Sequence, residues 1–160
     1  MQQVTSEYRV EKRRSQAELT LATGARVKGC FFLWESAQSH NGPERIADLL
    51  NDGTPFFPFE HDDGHTSLYN RTQIVKVQLP AQSREVELEP GYEVATRRSV
   101  SMLLSTGERI SGTITVYCPA GRDRLSDYAR SKETFRYLEA AEHTWIVNAT
   151  HMVELTELGD

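Results

Sequence analysis

The residues of this chain best suited to chemistry are His61-Asp62-Asp63-Gly64-His65, which bring imidazole and carboxylate groups close together. That pairing of ligand types suits a divalent transition ion. The later stretch Ala140-Ala141-Glu142-His143 aligns with it and keeps only the last histidine, His143 in the place of His65. Asp63-Gly64, lying between Phe59 and Leu68, is also an ordinary hairpin-turn sequence. A polar turn is therefore the expected reading, with His65 and His143 as hydrogen-bonding structural residues and no metal or other cofactor.

Asp48 and Asp127 come next, each three residues after an arginine, Arg45 and Arg124. The spacing sets both charges on one face of a single helical turn. Acid–base catalysis needs a second titrating group within hydrogen-bond reach, and the sequence offers none. The aspartates are expected to tie a short helix to nearby backbone amides. Ser101, Ser105, Ser111 and Ser126 lie in no Gly-x-Ser-x-Gly context, and neither Cys30 nor Cys118 neighbours a histidine. The expectation is a protein that is not an enzyme, with two free thiols in place of a disulfide.

A net charge of −5 and a pI near 5.6 repel nucleic acid and anionic membrane at long range. Basic residues gather only at Lys12, Arg13 and Arg14, echoed by Arg97 and Arg98. These form the surface an RNA or nucleotide would use; a solvated charged face is the preferred reading. The apolar run from Gly29 to Trp34 falls far short of the roughly 20 residues that cross a bilayer, and the first residues lack the apolar stretch of a secretory signal. A cytoplasmic location without membrane contact is expected.

The elements that must position these residues recur. Leu19 to Gly29 lies over Met102 to Gly112, with Thr-Gly-x-Arg-x-x-Gly shared, and Phe31, Leu33 and Trp34 lie over Ile114, Val116 and Tyr117. Apolar residues alternate around the turn, the pattern of a hairpin with one buried face. Arg45-x-x-Asp48 lies over Arg124-x-x-Asp127 and predicts a short helix from about Arg45 to Asn51. Phe56 and Phe59 lie over Phe135 and Leu138, predicting a third strand. His65 to Asn70 and Ile74 to Val77 lie over His143 to Asn148 and Met152 to Leu155, two strands joined by a turn that Asn70 or Asn148 stabilises through its side chain. The residues kept in both copies are Gly24, Arg26, Gly29, Arg45, Asp48, His65 and Asn70 over Gly107, Arg109, Gly112, Arg124, Asp127, His143 and Asn148. Glycines, an ion pair and turn residues of this kind build a fold before they build a site.

Each copy thus reads strand, strand, loop, short helix, strand, strand, turn, strand. The predicted organisation is an N-terminal charged segment over 1–16, a first β repeat over 17–80, a linker over 81–98 and a second β repeat over 99–158. The linker carries Glu85, Glu87, Glu89 and Pro90-Gly91, with one extra strand expected through Val86 and Leu88. Phe31, Phe32, Leu33 and Trp34 are bulky in succession, so alternation forces some outward; Phe32 and Trp34 are the expected partner-binding residues. Thr115 stands where Phe32 does, which argues for a contact between unlike surfaces.

Five short strands, a glycine-bearing first turn and a final turn through Tyr69-Asn70-Arg71-Thr72-Gln73-Ile74 resemble the Sm-like family of small, strongly bent β-barrels. The resemblance implies an all-β fold with short helices, two tandem Sm-like barrels. The helical Arg-x-x-Asp insertion departs from that family, and no Asp-x-Asn-like signature follows either first hairpin, so its RNA-binding residues do not carry over. Arg124-Leu-Ser-Asp-Tyr128 also makes the chain similar to an uncharacterised bacterial family built on that motif, which implies no activity. Arg13-Arg14 resembles the start of cyclic-dinucleotide-binding PilZ domains, but their Asp/Asn-x-Ser-x-x-Gly element is missing after Arg14 and after Arg98. The resulting expectation is a non-catalytic interaction or regulatory module with a protein partner, self-associating into a homo-oligomer through open strand edges. An Sm-like RNA- or nucleotide-binding protein is the alternative.

Overall fold

Alternation of apolar and polar residues writes most of the chain as strands. The computed structural model describes residues 12–37, 42–117 and 124–159. Residues 1–11, the middle of the polar loop after Trp34, and Cys118 lie outside them. Strands β1 (Lys12–Leu21) and β2 (Arg26–Trp34) form the first hairpin, burying Ala17, Leu19, Phe31 and Leu33 on one face. Gly24 and Gly107 turn their hairpins with φ of 91° each, the left-handed region that glycine enters without strain. Lys12, Arg13 and Arg14 are thus residues of β1 and do not precede it.

Helix α1 (Ile46–Leu50) follows, with Arg45 and Asn51 as its caps and Ile46, Ala47, Leu49 and Leu50 buried. Strands β3 (Phe56–His61) and β4 (Thr66–Asn70), a 3-10 turn at Arg71–Gln73 and β5 (Ile74–Gln78) complete the first half. The second half repeats this order as β6 (Thr96–Leu104), β7 (Arg109–Val116), α2 (Leu125–Ala129), β8 (Phe135–Glu139), β9 (Thr144–Asn148), a 3-10 turn at Ala149–His151 and β10 (Met152–Glu157). Among the described residues the chain is therefore mostly β, with two short α-helices.

Two sequence expectations are corrected. No strand runs through Val86 and Leu88; that stretch is a 3-10 turn, Glu85–Leu88, followed by another at Tyr92–Val94. Val86 is buried but Leu88 stays 56% exposed, so there is no alternating face for a strand to bury. Nor do the described residues form two closed barrels. The described strands form one open antiparallel sheet in the order β10-β6-β7-β8-β9-β5-β1-β2-β3-β4, in which β5 pairs with β9 and the terminal strands β4 and β10 are not joined. Ile74, Val75 and Val77 on β5, and Ile146 and Val147 on β9, are apolar at both parities. Strands of that kind need cover on both faces, and here Ile74, Val77 and Ile146 lie in one core while Val75 and Val147 lie in the other.

Both halves approach their helix-side strands closely at one glycine. A Cβ on Gly29 would sit 2.0 Å from the Glu60 carbonyl oxygen, and one on Gly112 would sit 2.6 Å from that of Glu139. Each is the point where the second strand of a half crosses the third without room for a side chain. Gly29→Ala is expected to lower unfolding stability by about 3 kcal/mol, and Gly112→Ala by less, as read from urea denaturation. Equal stability of the wild type and Gly29→Ala would contradict the close approach.

Candidate functional site

The sheet is continuous because the two halves interlock at one seam. There Lys76 faces Val147, Val77 faces Ile146 and Gln78 faces Trp145. The Leu79 amide extends the ladder to the Thr144 carbonyl at 2.9 Å. Side chains lock the register: the buried Asn148 amide donates to the Ile74 carbonyl at 2.8 Å, and its Oδ1 accepts from the Thr150 amide. Asn51 holds both backbone groups of Phe135, at 3.0 and 2.9 Å. Lys76, 4% exposed, pairs with Glu108 at 3.0 Å and lies over the Trp145 ring.

The cores interpenetrate across this seam. Phe135 and Ile146 from the second half belong to the core of the first, beside Phe31, Phe57, Ile74 and Val77. In return Val75, bulged out of the β1–β5 ladder, packs in the second core with Val100, Met102 and Val147. Val153 is bulged in the same way from the β6–β10 ladder.

The two ends of the sheet, β4 with its neighbour β3 and β10, carry the counterparts of these seam residues, and among the described residues no strand pairs with the free sides of β4 and β10. Ile146 is fully buried, whereas Leu68 at its counterpart is 69% exposed. Phe135 is 2% exposed and Phe56 53%; Val75 is fully buried and Val153 is 64% exposed. Met152 and Leu155, in the places of the fully buried Ile74 and Val77, are only partly buried against the second core. An apolar set that is sealed at the seam lies open at both edges.

The residues singled out by sequence are dispersed. In the β3–β4 turn, His61 and His65 stack with ring centroids 3.9 Å apart; His65 bonds Asp63, and His61 Nε2 meets Ser67 Oγ and Tyr69 OH. Among the described residues no group of three or more His, Cys, Asp or Glu side chains converges on a metal-sized site. His143 lies edge-on to Trp145, its Nε2 buried without a hydrogen bond. Cys30 is a free thiol. Phe32 and Trp34 lie on the sheet face opposite the core, half-buried under Arg14 and Lys12. The basic residues are also engaged: Arg14 with Glu60, Arg13 with the Glu44 carbonyl, Arg97 with the Tyr92 carbonyl and Arg98 with Glu157.

Asp48 and Asp127 each accept from the backbone amide of the arginine capping their helix, at 2.8 and 3.1 Å. That amide, with the nearby guanidinium groups, holds the Asp127 carboxyl below its ordinary value of 3.8. The Arg45–Asp48 pair is largely buried. Arg45 is buried and also reaches Glu89 at 3.1 Å; burial alone would lower its guanidinium, but these carboxylates and Tyr137 raise it. Glu85 acts beside it, accepting from the first two amides of α1, Ile46 and Ala47, at 3.1 and 3.2 Å and from Tyr137 OH at 2.6 Å. Burial, with Glu85 beside it, pushes the Tyr137 hydroxyl well above its usual value. The segment between the halves is thus a strap fastened to α1 and β8. It borders a cleft of about 1290 Å³ of mixed character, lined by Trp34, Arg45, Glu89, Tyr117, Tyr128 and Glu133 among others.

No family model matches the chain, and no curated protein or solved structure matches it significantly. Sequence reasoning missed Asn51, Lys76, Glu85 and the second role of Asn148. The one signal available was the both-parity apolar run in Ile74-Val75-Lys76-Val77, which marks a strand covered on two faces. Glu85→Ala removes the acceptor of the first two α1 amides and leaves the buried Tyr137 hydroxyl without its acceptor, so it is expected to cost about 2 kcal/mol. The exposed Glu87→Ala is expected to stay within about 0.5 kcal/mol of wild type in the same urea titration.

Proposed function

We propose that the chain is a non-catalytic interaction module, made of two copies of one small β module resembling the Sm-like barrels, that binds protein through its sheet edges β4 and β10. One observation carries this reading: Leu68, Phe56 and Val153 are exposed where their counterparts Ile146, Phe135 and Val75 are buried. Burying a side chain of that size contributes about 1.5–3 kcal/mol, and an added strand brings main-chain hydrogen bonds as well. β4, Thr-Ser-Leu-Tyr-Asn, carries none of the charges or prolines with which solvent-facing edges are commonly blunted. Leu68 lies on β4, Val153 on β10 and Phe56 on β3 beside β4, so these three exposed apolar positions gather at the two ends of the sheet.

RNA or nucleotide binding through Lys12, Arg13, Arg14, Arg97 and Arg98 draws less support. Arg13 and Arg14 point to opposite faces of β1 by alternation, and the arginines are tied to Glu60, Glu157 or backbone carbonyls. A photo-crosslinking residue in place of Leu68 is expected to capture protein in cells far more strongly than one in place of Val94, which is also exposed but lies off both edges. Equal capture at the two positions would overturn the reading. Single-stranded RNA is expected not to bind at low salt, and binding with a steep salt dependence would favour the alternative.

A further inference from the structure

Resting on the reading of β4 and β10 as binding edges, we infer that their occupant is a second copy of this chain, joined head to tail so that β10 of one copy pairs with β4 of the next. The internal seam is the template. In it, the last strand of the first half pairs with the fourth strand of the second. β10 and β4 are the same two strands of the module, left over at opposite ends of the sheet. The edges are therefore complementary to each other and not each to itself.

Transferring the seam register sets Glu154 against Tyr69, Leu155 against Leu68 and Thr156 against Ser67 of the neighbouring copy. The Leu155–Leu68 pair takes the place of Val77–Ile146, both fully buried. Leu68 and Phe56 would enter the second core of the neighbour as Ile146 and Phe135 enter the first, covering Met152 and Leu155. Val153 would enter the neighbour's first core as Val75 enters the second. The Asn70 side chain, whose Oδ1 accepts from the Thr72 amide as that of Asn148 does from Thr150, is set to donate its amide to the neighbour's Met152 carbonyl. The Lys76–Glu108 ion pair is not reproduced, because Glu154 and Ala25 stand at those positions. The new junction thus depends on the ladder and its apolar residues. A contact between unlike surfaces repeats, and it closes into a ring when the rotation per copy allows.

The test is the mass of the full chain by light scattering across a concentration series, with single edge variants. The wild type is expected at a multiple of 18.2 kDa. Leu68→Lys and Val153→Lys change residues already exposed, and each is expected to lose the assembly while keeping the wild-type circular dichroism; Val94→Lys keeps the assembly. The two edge variants mixed together are expected to form a dimer and nothing larger, since the pair retains one intact β10 and one intact β4. A wild type that stays monomeric overturns the inference, as does an oligomer insensitive to both variants or one lost only in Leu68→Lys. If the wild type is monomeric yet the crosslinker at Leu68 captures a different protein, this inference fails while the interaction reading stands.

Discussion

The pairing of β5 with β9 is the constraint on which the rest of the structure depends. Main-chain hydrogen bonds alone would hold two half-sheets loosely, but here each half also completes the other's core. Phe135 and Ile146 fill the first core and Val75 fills the second, so neither half closes its apolar interior by itself. The register cannot slip, because a shift of one residue would turn Ile146 out of the first core and Val147 out of the second. Asn148 and Asn51 reinforce the same register by satisfying backbone groups across the seam, and a buried amide that lost those partners would be left uncompensated.

The strap between the halves follows from that geometry. With β5 beside β9, the chain must travel from the centre of the sheet to β6, near its far end, and it does so past α1. Glu85 and Glu89 fasten it there: Glu85 supplies the acceptor that the first amides of α1 lack, and Glu89 shares the buried Arg45 guanidinium with Asp48. An acidic stretch that reads as a linker with one extra strand is thereby a structural element whose carboxylates neutralise a helix N-terminus and a buried cation.

Much of the element order was legible because it rests on local rules. Period-two alternation marks β1 and β2, Phe56 and Phe59 mark β3, the Thr-Gly turns need positive φ, and the Arg-x-x-Asp spacing marks α1 to within a residue and points to α2 as its counterpart. The seam was not legible, because which strands pair is a tertiary choice. The apolar residues of both parities in β5 and β9 restrict that choice without naming the partner. The sequence copies also look equivalent at Leu68 and Ile146, or at Phe56 and Phe135, since residue type does not report position in the sheet. Only exposure separates them. The same blindness affects Arg45 and Arg124, identical in motif, one buried against the strap and the other open to solvent.

Position in the sheet therefore gives two halves of the same element order unlike environments. The first half has a neighbour beyond β5, so Ile74, Val77 and Ile46 are sealed, and its helix takes a carboxylate from the strap. The second half has no strand beyond β10 among the described residues; Met152, Leu155 and Leu125 remain partly exposed in the equivalent places, and α2 is held by its own Asp127. Beside β10 the differences run toward looser packing, where a neighbour is missing. Poor residue choice in the second copy does not account for them, because Met152, Leu155 and Leu125 are as apolar as the residues they stand for. What these side chains lack is the surface that the first half receives from β9, and in the fold that surface is the fourth strand of a module, the element left uncovered as β4.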